Sequence, residues 1–252
     1  MSDSAPRRSQ GSPLDLPDGE ASTGQAVRRM FAAIAPWYDF LNHFLSFGRD
    51  IAWRRAAAKA LRQVLAQPGS LAADVCCGTG DLALTLARHS AGKVIGTDFC
   101  RPMLLRARRK ARQSPRPLFF VEADTLALPF RDGALDVVSV AFGFRNLASY
   151  TAGLRELNRV LKPGGSVAIL EFSRVRWPVF VPLFRFYFHR ILPRLGTWIS
   201  GVPGPYQYLP DSVSQFPDQE SLAAALTAAG FVNVRYRNFT GGVAALHLAE
   251  KR

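Results

Sequence analysis

The feature that most constrains the fold of this chain is a regular alternation of strand-like and helix-like runs through its middle. Five short apolar runs have the length and composition of buried strands. They cover residues 70–77, 93–98, 117–124, 134–143 and 166–172. Stretches with helical spacing lie between them at residues 81–90, 101–113 and 150–162. Strands that alternate with helices form parallel sheets covered on both faces, so the pattern predicts an α/β fold.

The pattern changes after the fifth strand. Residues 220–230 have helical spacing, and two strand-like runs follow at 231–240 and 242–252. The glycine pair at Gly241–Gly242 joins the two runs, which is typical of a hairpin. We therefore predict a mostly parallel seven-stranded sheet that ends in an antiparallel hairpin.

Three other segments stand outside the alternation. Residues 1–24 are rich in Ser, Pro, Gly and Asp, which predicts a disordered tail. Residues 25–252 then form one domain, which opens with a helical lead over residues 25–67. Residues 174–215 are aromatic, basic and punctuated by prolines, and we interpret them as an inserted lid.

The net charge and the cysteine content indicate which partners and which cellular compartment to expect. The 252 residues carry a formal net charge of +13, which favours an anionic partner such as nucleic acid or an anionic membrane surface. Three cysteines are too few for a disulfide scaffold and favour a reducing compartment. The first residues lack the apolar stretch of a secretory signal, and no apolar run of about 18 residues predicts a membrane span. We expect a cytoplasmic protein.

A glycine turn marks the expected ligand site. Gly78–Gly80 follows the first strand and precedes the first helix of the alternating region, at the sheet edge where such folds bind ligands. No Gly-Lys-Ser/Thr follows, which excludes a phosphate loop of the P-loop type. Asp98 ends the second strand about 20 residues later, where an acid can bind ribose hydroxyls. Asp124–Thr125 ends the third strand at the same edge.

The neighbouring cysteines do not alter this interpretation. Cys76 and Cys77 are adjacent, whereas redox pairs are separated by two residues and metal sites need further spaced ligands. We predict that both pack as small apolar side chains, and we predict no metal site.

These three strand ends together resemble the S-adenosylmethionine-dependent methyltransferase fold, which is Rossmann-like. The resemblance implies cofactor contacts from Gly78, Thr79, Gly80, Asp98, Asp124 and Thr125. In this assignment Asp98 holds the ribose, and Asp124 with Thr125 holds the adenine edge. The alternative is an α/β domain with ordinary tight turns and no nucleotide.

Stretches outside the turn carry a closer resemblance. They are "MFAAIAPWYDFLNHFLSFGRDIAWRR", "SVAFGFRNL", "RVLKPGGSVAILEF", and the C-terminal pieces "YQYLPDSVSQFP", "AGF" and "GGVAALH". This pattern is similar to the demethylmenaquinone and 2-methoxy-6-polyprenyl-1,4-benzoquinol C-methyltransferase family, over residues 28–250. Ala141 stands where that family often has a serine, so a side-chain hydrogen bond to the cofactor is absent there, although the backbone can still contribute.

The implied quinol substrate must be stabilised in its ionised, phenolate form. A phenol with a pKa of about 10 must ionise before its ring carbon becomes a good nucleophile, which near pH 7 requires roughly 4 kcal/mol. One charged hydrogen bond supplies roughly 1.5–3 kcal/mol, so a second polar group is needed. Arg145 and Asn146, just past the fourth strand, are the candidate pair, and Tyr38 in the lead can close over the ring. The alternative for Arg145 is a salt bridge to a nearby carboxylate.

The resemblance implies a polyprenyl quinol as the substrate and S-adenosylmethionine as the cofactor. The aromatic, basic segment at 174–215 fits a prenyl tail or an anionic membrane surface, and its alternative is a cover helix that buries its aromatic side chains. We expect peripheral attachment to the cytoplasmic membrane. The alternative function is methylation of another small molecule or of nucleic acid. The sequence contains no recognisable nucleic-acid-binding motif, so we expect no nucleic acid as a partner. The sequence is also compatible with a homo-oligomer.

Overall fold

The computed structural model describes residues 20–114, 116–177, 181–202 and 205–252. Its helices are α1 Glu20–Ile34, α2 Tyr38–Leu45, α3 Arg49–Ala60, α4 Arg62–Leu65, α5 Asp81–Ala87, α6 Arg101–Ala111, α7 Tyr150–Val160, α8 Val181–Phe186, α9 Leu192–Ser200, α10 Pro205–Gln215 and α11 Gln219–Ala228. Its strands are β1 Leu71–Val75, β2 Lys93–Asp98, β3 Leu118–Glu122, β4 Leu135–Ala141, β5 Leu161–Phe172, β6 Phe231–Phe239 and β7 Ala244–Lys251.

The seven strands form one sheet in the order β3-β2-β1-β4-β5-β7-β6. The first five strands are parallel, and β7 runs antiparallel to both β5 and β6. The predicted parallel sheet with a C-terminal antiparallel hairpin is therefore confirmed. The chain reverses its direction of travel across the sheet after β3, because β4 lies on the other side of β1. The carboxyl ends of β1 and β4 thus meet where ligands bind in such sheets.

Helices cover both faces of the sheet, because alternate strand residues point to opposite sides. On one face, Ala72 and Val137 pack with Trp53 of α3 and with apolar residues of α5 and α6. On the other face, Ala73 and Val138 pack with α7 and α11. This arrangement explains why apolar residues, mainly Ala and Val, predominate in β1 and β4.

The start of β5 differs from the prediction. The sequence predicts helix to residue 162 and a turn at 163–165, but α7 ends at Val160 and the strand begins at Leu161. Leu161 pairs with Leu135, and Ser166 pairs with Val137, so the residues between form a bulge within the strand. Pro163 explains the early helix end, since a proline disfavours helical geometry in the residue before it.

The helical lead breaks where its sequence suggests, with α1 ending before Pro36 and α2 ending before Gly48. Helix α1 begins at Glu20, inside the predicted tail, and residues 1–19 lie outside the described part of the chain. The buried Val27 and Ile34 lie seven residues apart on one face of α1, which gives this helix a packing surface.

The lead packs against the insert predicted at 174–215. Leu41 and Leu45 of α2 bury against Phe188 and Leu192, which belong to the π-helical stretch Tyr187–Ile191 and to α9. We call helices α1, α2, α8, α9 and α10, with that π-helical stretch, the cap. None of the helices in the described ranges combines the length and the apolar character needed to cross a bilayer.

Candidate active site

A cavity of about 490 Å³ lies between the carboxyl edge of the sheet and the cap. Its volume falls in the range typical of small-molecule sites, about 300–1,000 Å³. The predicted site residues that line it are Tyr38, Gly78, Asp98, Asp124, Thr125 and Asn146. Four predicted residues do not line it, namely Thr79, Gly80, Ala141 and Arg145. The strand ends and the lead helices therefore converge on one cavity, as the topology requires.

The two glycines of the turn have different roles. Gly78 and Gly80 both adopt left-handed backbone conformations, with φ of 55° and 84°. A Cβ added to Gly80 would lie 3.1 Å from Ala107 Cβ and 3.2 Å from Phe120 Cε1, so this glycine allows α5 to pack closely. A Cβ added to Gly78 would meet only Tyr38 Cε1, at 3.8 Å, beside the cavity. Gly78 is thus the glycine of the turn whose backbone faces the cavity.

Thr79 differs from its expected position. Its side chain is buried, and its hydroxyl donates a hydrogen bond to Asp39 of α2. The left-handed conformations on both sides of Thr79 turn its side chain away from the cavity and toward the lead. Thr79 therefore contacts the cap rather than the cavity.

Asp98 organises the carboxyl end of β2. Its Oδ2 accepts a hydrogen bond from the Gly78 amide at 2.8 Å, and its Oδ1 accepts one from the Cys100 amide at 2.8 Å. Burial raises the pKa of Asp98 to about 6, and these two amides oppose the shift. Asp98 is ionised at neutral pH and keeps free lone pairs on both oxygens for a ligand.

Asp124 and Thr125 form the next part of the wall, where the chain leaves β3. Asp124 Oδ1 accepts a hydrogen bond from the Leu126 amide at 2.9 Å, which fixes the turn. Thr125 Oγ1 lies 3.1 Å from Cys76 Sγ. Cys76 lines the cavity, while Cys77 is buried in the core beneath it. Burial raises the pKa of the Cys76 thiol far above neutral pH, so Cys76 is not a thiolate nucleophile.

Asn146 lines the cavity, but Arg145 does not. Asn146 Oδ1 accepts a hydrogen bond from the Tyr208 hydroxyl of α10 at 3.1 Å. Arg145 is 7% exposed and pairs with Glu171, which is 1% exposed, at 2.9 Å. The guanidinium also donates to the Phe142 carbonyl at 2.5 Å and to Ser212 Oγ at 3.3 Å. The salt bridge that was the alternative for Arg145 is the contact observed.

Tyr38 closes the cavity from the cap side. Its ring meets Phe31 edge to face at a centroid distance of 6.0 Å. Burial raises the pKa of its hydroxyl above the usual value of 10, and the positive charges of Arg54 and Arg145 oppose this shift only in part. Tyr38 is therefore protonated at neutral pH and can donate a hydrogen bond into the cavity.

Comparison with known proteins decides the family. The family model described as the ubiE/COQ5 methyltransferase family matches residues 20–251. A demethylmenaquinone methyltransferase of Thermus thermophilus is 50% identical over 228 residues, which cover 88% of this chain and 100% of that protein. The chain belongs to the ubiE/COQ5 methyltransferase family.

Other members and a solved structure agree with this placement. A ubiquinone/menaquinone biosynthesis C-methyltransferase of Geotalea uraniireducens is 41% identical over 90% of this chain and 97% of that protein. In fold, the chain resembles a SAM-dependent methyltransferase from Aquifex aeolicus, with a TM-score of 0.55 at 21% identity over 78% of this chain and 89% of that one. The protein is an S-adenosylmethionine-dependent methyltransferase.

The cavity fits the cofactor of this methyltransferase family. A nucleoside presents ribose hydroxyls that donate hydrogen bonds, and Asp98 is an ionised carboxylate with unused lone pairs. The open backbone at Gly78 leaves room for close approach beside it. Asp124 and Thr125 add polar atoms on the neighbouring strand end. These four residues are the ones that would hold S-adenosylmethionine.

Several residues of the cavity wall were not predicted. They are Gly24, Arg28, Phe31, Cys76, Phe99, Met103, Leu126, Phe142, Gly143, Leu147 and Ala148. Gly24, Arg28 and Phe31 belong to the lead, and their place in the wall depends on how the lead folds back over the sheet edge. The other eight lie in segments that follow strands β1 to β4. Three had a usable signal, because Cys76, Phe99 and Phe142 directly follow the last residues of β1, β2 and β4.

Proposed function

We propose that this protein transfers a methyl group from S-adenosylmethionine to a ring carbon of demethylmenaquinol. The observation that carries this proposal is the 50% identity with a demethylmenaquinone methyltransferase along the whole length of that relative. The name of the Geotalea relative supports the benzoquinol of ubiquinone synthesis as a second substrate. The reaction forms a carbon–carbon bond at the ring, breaks the sulfur–methyl bond and releases the ring proton.

On the cofactor side of the cavity, different residues contact different parts of S-adenosylmethionine. S-adenosylmethionine supplies an electrophilic methyl group on a positively charged sulfur. Asp98 binds the ribose through the lone pairs that its two backbone contacts leave free. Asp124 and Thr125 contact the base, and the Gly78 backbone borders the rest of the cofactor. The apolar side chains around them exclude water from the site, which strengthens each polar contact.

Asn146 and Tyr38 line the cavity and carry neutral side-chain donors, and we assign them to the acceptor side. Both side chains can donate a hydrogen bond to a phenolate oxygen, because Asn146 carries two amide hydrogens and Tyr38 stays protonated. Each neutral contact contributes about 0.5–1.5 kcal/mol, so the two together give part of the roughly 4 kcal/mol that ionisation requires. Arg145 adds no net positive charge here, because Glu171 neutralises it.

Arg145 acts as a positioning residue in this proposal. Its guanidinium joins Glu171 of β5, the Phe142 carbonyl and Ser212 of α10. The Arg145 carbonyl also accepts a hydrogen bond from the Tyr150 hydroxyl at 3.0 Å. These contacts hold the short 3-10 turn at 144–146, and therefore Asn146, against the cavity.

Comparing the reduced and oxidised forms of the substrate tests the proposed phenolate mechanism. The reduced quinol has a hydroxyl that can ionise and enrich the ring carbon, whereas the oxidised quinone has neither. We expect methylation of an anaerobically reduced short-chain demethylmenaquinol and no turnover above background with the same compound oxidised. The assay follows transfer of a labelled methyl group into the organic phase. Equal rates with the two forms would contradict the phenolate mechanism.

We further propose that the cap rests on an anionic membrane surface. Helix α2 and the turn after it expose Phe40, Phe44 and Phe47, and Phe47 reaches Tyr187 of the insert at a ring distance of 5.8 Å. The insert adds the exposed Phe186 and Trp198. Three exposed arginines lie among them, namely Arg185, Arg190 and Arg194. Exposed aromatic side chains interleaved with arginines are typical of a membrane-surface contact. A quinol with a long prenyl tail resides in that membrane.

A further inference from the structure

A group of polar side chains joins the cap to the glycine turn. Asp39 of α2 accepts hydrogen bonds from Thr79 and from Lys110 of α6, with Lys110 Nζ 3.0 Å from Asp39 Oδ2. Lys110 also donates to Thr79 Oγ1 at 3.3 Å and to Asp81 at the start of α5. The three ammonium hydrogens of Lys110 thus match three acceptors in α2, the glycine turn and α5. We call Asp39, Thr79, Asp81 and Lys110 the latch.

The latch lies directly behind the cavity wall. Tyr38 lines the cavity, and the next residue, Asp39, belongs to the latch. Gly78 also lines the cavity, and the next residue, Thr79, belongs to the latch. The bond between Asp39 and Thr79 therefore holds Tyr38 against the open face of Gly78, whose added Cβ would stand 3.8 Å from the tyrosine ring.

The cap forms one side of the cavity, so its position controls access. Gly24, Arg28 and Phe31 of α1 contribute to the wall together with Tyr38 of α2. Outward movement of α1 and α2 would widen the exit for a ligand held between this wall and the sheet edge. Helix α2 and the helices of the insert both belong to the cap, so the apolar contacts between them would be kept when the cap moves. The latch connects α2 to α5 and α6, which stay with the sheet.

We propose that Lys110 and Thr79 are positioning residues that keep the cap closed over S-adenosylmethionine and set its rate of release. The proposal rests on the assignment of that cofactor to this cavity. Neither residue lines the cavity, so neither contacts the reacting atoms. The side chains of Lys110, Asp39 and Asp81 are 29%, 28% and 20% exposed, so water can replace the contacts when the cap opens. Such a network holds a closed state without making opening prohibitive.

The test compares Lys110→Met with Arg109→Met. Both substitutions remove one positive charge from α6, but the Arg109 side chain is exposed and has no hydrogen bond or ion pair among the described residues. We measure dissociation of labelled S-adenosylmethionine in a chase experiment, together with KM and kcat. We expect Lys110→Met to raise the dissociation rate and the cofactor KM about tenfold, because it removes two modest ion pairs at once. We expect kcat to fall less than about twofold, because the acceptor side is untouched.

Thr79 provides a second, independent variant. Thr79→Val removes only the hydroxyl and should also speed cofactor release, whereas Thr79→Ser keeps the hydroxyl and should restore the wild-type rate. Because both residues act through Asp39, Lys110→Met and Thr79→Val should be less than additive when combined. The thermal unfolding midpoint of each variant is recorded, and release should change in variants whose midpoint does not.

Two results would overturn this assignment, and they differ from failure of the proposed function. Wild-type protein that binds no S-adenosylmethionine would remove the cofactor assignment itself. Wild-type protein that binds it, with release from Lys110→Met as slow as from Arg109→Met, would remove the latch alone. A loss confined to kcat, with release unchanged, would likewise contradict a role in closing the cap.

Discussion

At the scale of single residues, Asp98 combines a structural and a binding role, which makes its ionisation measurable. Ribose hydroxyls donate to a carboxylate, so bound cofactor favours the ionised form and lowers the pKa of Asp98 below its free value of about 6. Affinity is then constant above that pKa and falls as the pH drops through it, by up to about tenfold per pH unit. Calorimetric titration of S-adenosylmethionine between pH 5 and pH 8 should show this dependence.

The isosteric Asp98→Asn variant separates Asp98 from other titrating groups. Asp74, buried in β1, is the nearby carboxyl whose pKa burial raises to about 7, and it does not line the cavity. An amide cannot accept from both the Gly78 and the Cys100 N–H groups through two oxygens, so we expect cofactor binding more than about tenfold weaker. The dependence on pH should also disappear. A pH dependence that persists in Asp98→Asn would assign it to Asp74 or another group.

The individual site residues show what a sequence can predict at this scale. Asp98 ends β2, and Asp124 and Asn146 follow β3 and β4. The carboxyl ends of neighbouring parallel strands meet at one sheet edge. The orientation of Thr79 depends instead on the backbone angles of two flanking glycines, which a one-dimensional pattern does not contain. The Arg145 contact likewise depends on Glu171, which is distant in sequence and reaches Arg145 only through the pairing of β4 and β5.

At the scale of secondary-structure elements, Arg145 joins three of them, and this predicts a distinctive response to mutation. Arg145→Met leaves Glu171 charged, buried and without its cation, which should destabilise the fold by about 3 kcal/mol in urea unfolding. The double variant Arg145→Met/Glu171→Gln removes the stranded charge and should recover most of that stability. Its kcat should stay up to about tenfold low, as expected for the loss of one neutral hydrogen bond, because the support for Asn146 is still missing.

The matched control for this pair is Lys162→Met, which breaks the partly exposed ion pair between Lys162 and Asp136 at 2.7 Å. Partly exposed pairs contribute about 0–1 kcal/mol, so this variant should keep both stability and kcat. Full recovery of kcat in the double variant would restrict Arg145 to a purely structural role. A stable Arg145→Met protein would contradict the burial argument.

The elements themselves were predictable to different degrees. The five parallel strands and the hairpin follow from apolar runs and glycine turns, because burial on both faces imposes such runs. The bulge at the start of β5 was missed, since a Pro-Gly-Gly sequence is compatible both with a turn and with an irregular strand. The association of the lead with the insert was missed too. Both segments have an apolar face, but no local pattern states which face covers which.

At the scale of the whole molecule, the proposed membrane contact depends on the net positive charge and on the aromatic side chains exposed in the cap. A net charge of +13 would favour binding to an anionic surface, and salt would screen that attraction. Charge alone does not orient the protein, whereas Trp198 at 83% exposure and Phe47 at 79% exposure lie in the cap or directly beside it. Insertion of these side chains would present the mouth of the cavity, which α1 and α2 border, to the layer that holds the quinol.

This orientation predicts that cap aromatics matter more than equally exposed side chains elsewhere. Phe186→Ser/Trp198→Ser should weaken cosedimentation with anionic vesicles by at least about tenfold, since each inserted aromatic contributes about 1.5–3 kcal/mol. The control Leu105→Ser/Phe119→Ser removes two side chains of 45% and 51% exposure from α6 and β3, which are not part of the cap, and should bind normally. Added salt should weaken binding of every variant.

The same variants distinguish membrane attachment from a direct part in methylation. With a long-chain demethylmenaquinol embedded in vesicles, Phe186→Ser/Trp198→Ser should turn over more slowly in proportion to its weaker binding. With a short-chain quinol in solution, the variant should match wild type, because neither residue lines the cavity. Equal loss with both substrates would mean that the insert shapes the active site rather than the membrane contact. Equal vesicle binding of the cap variant and its control would contradict the proposed orientation.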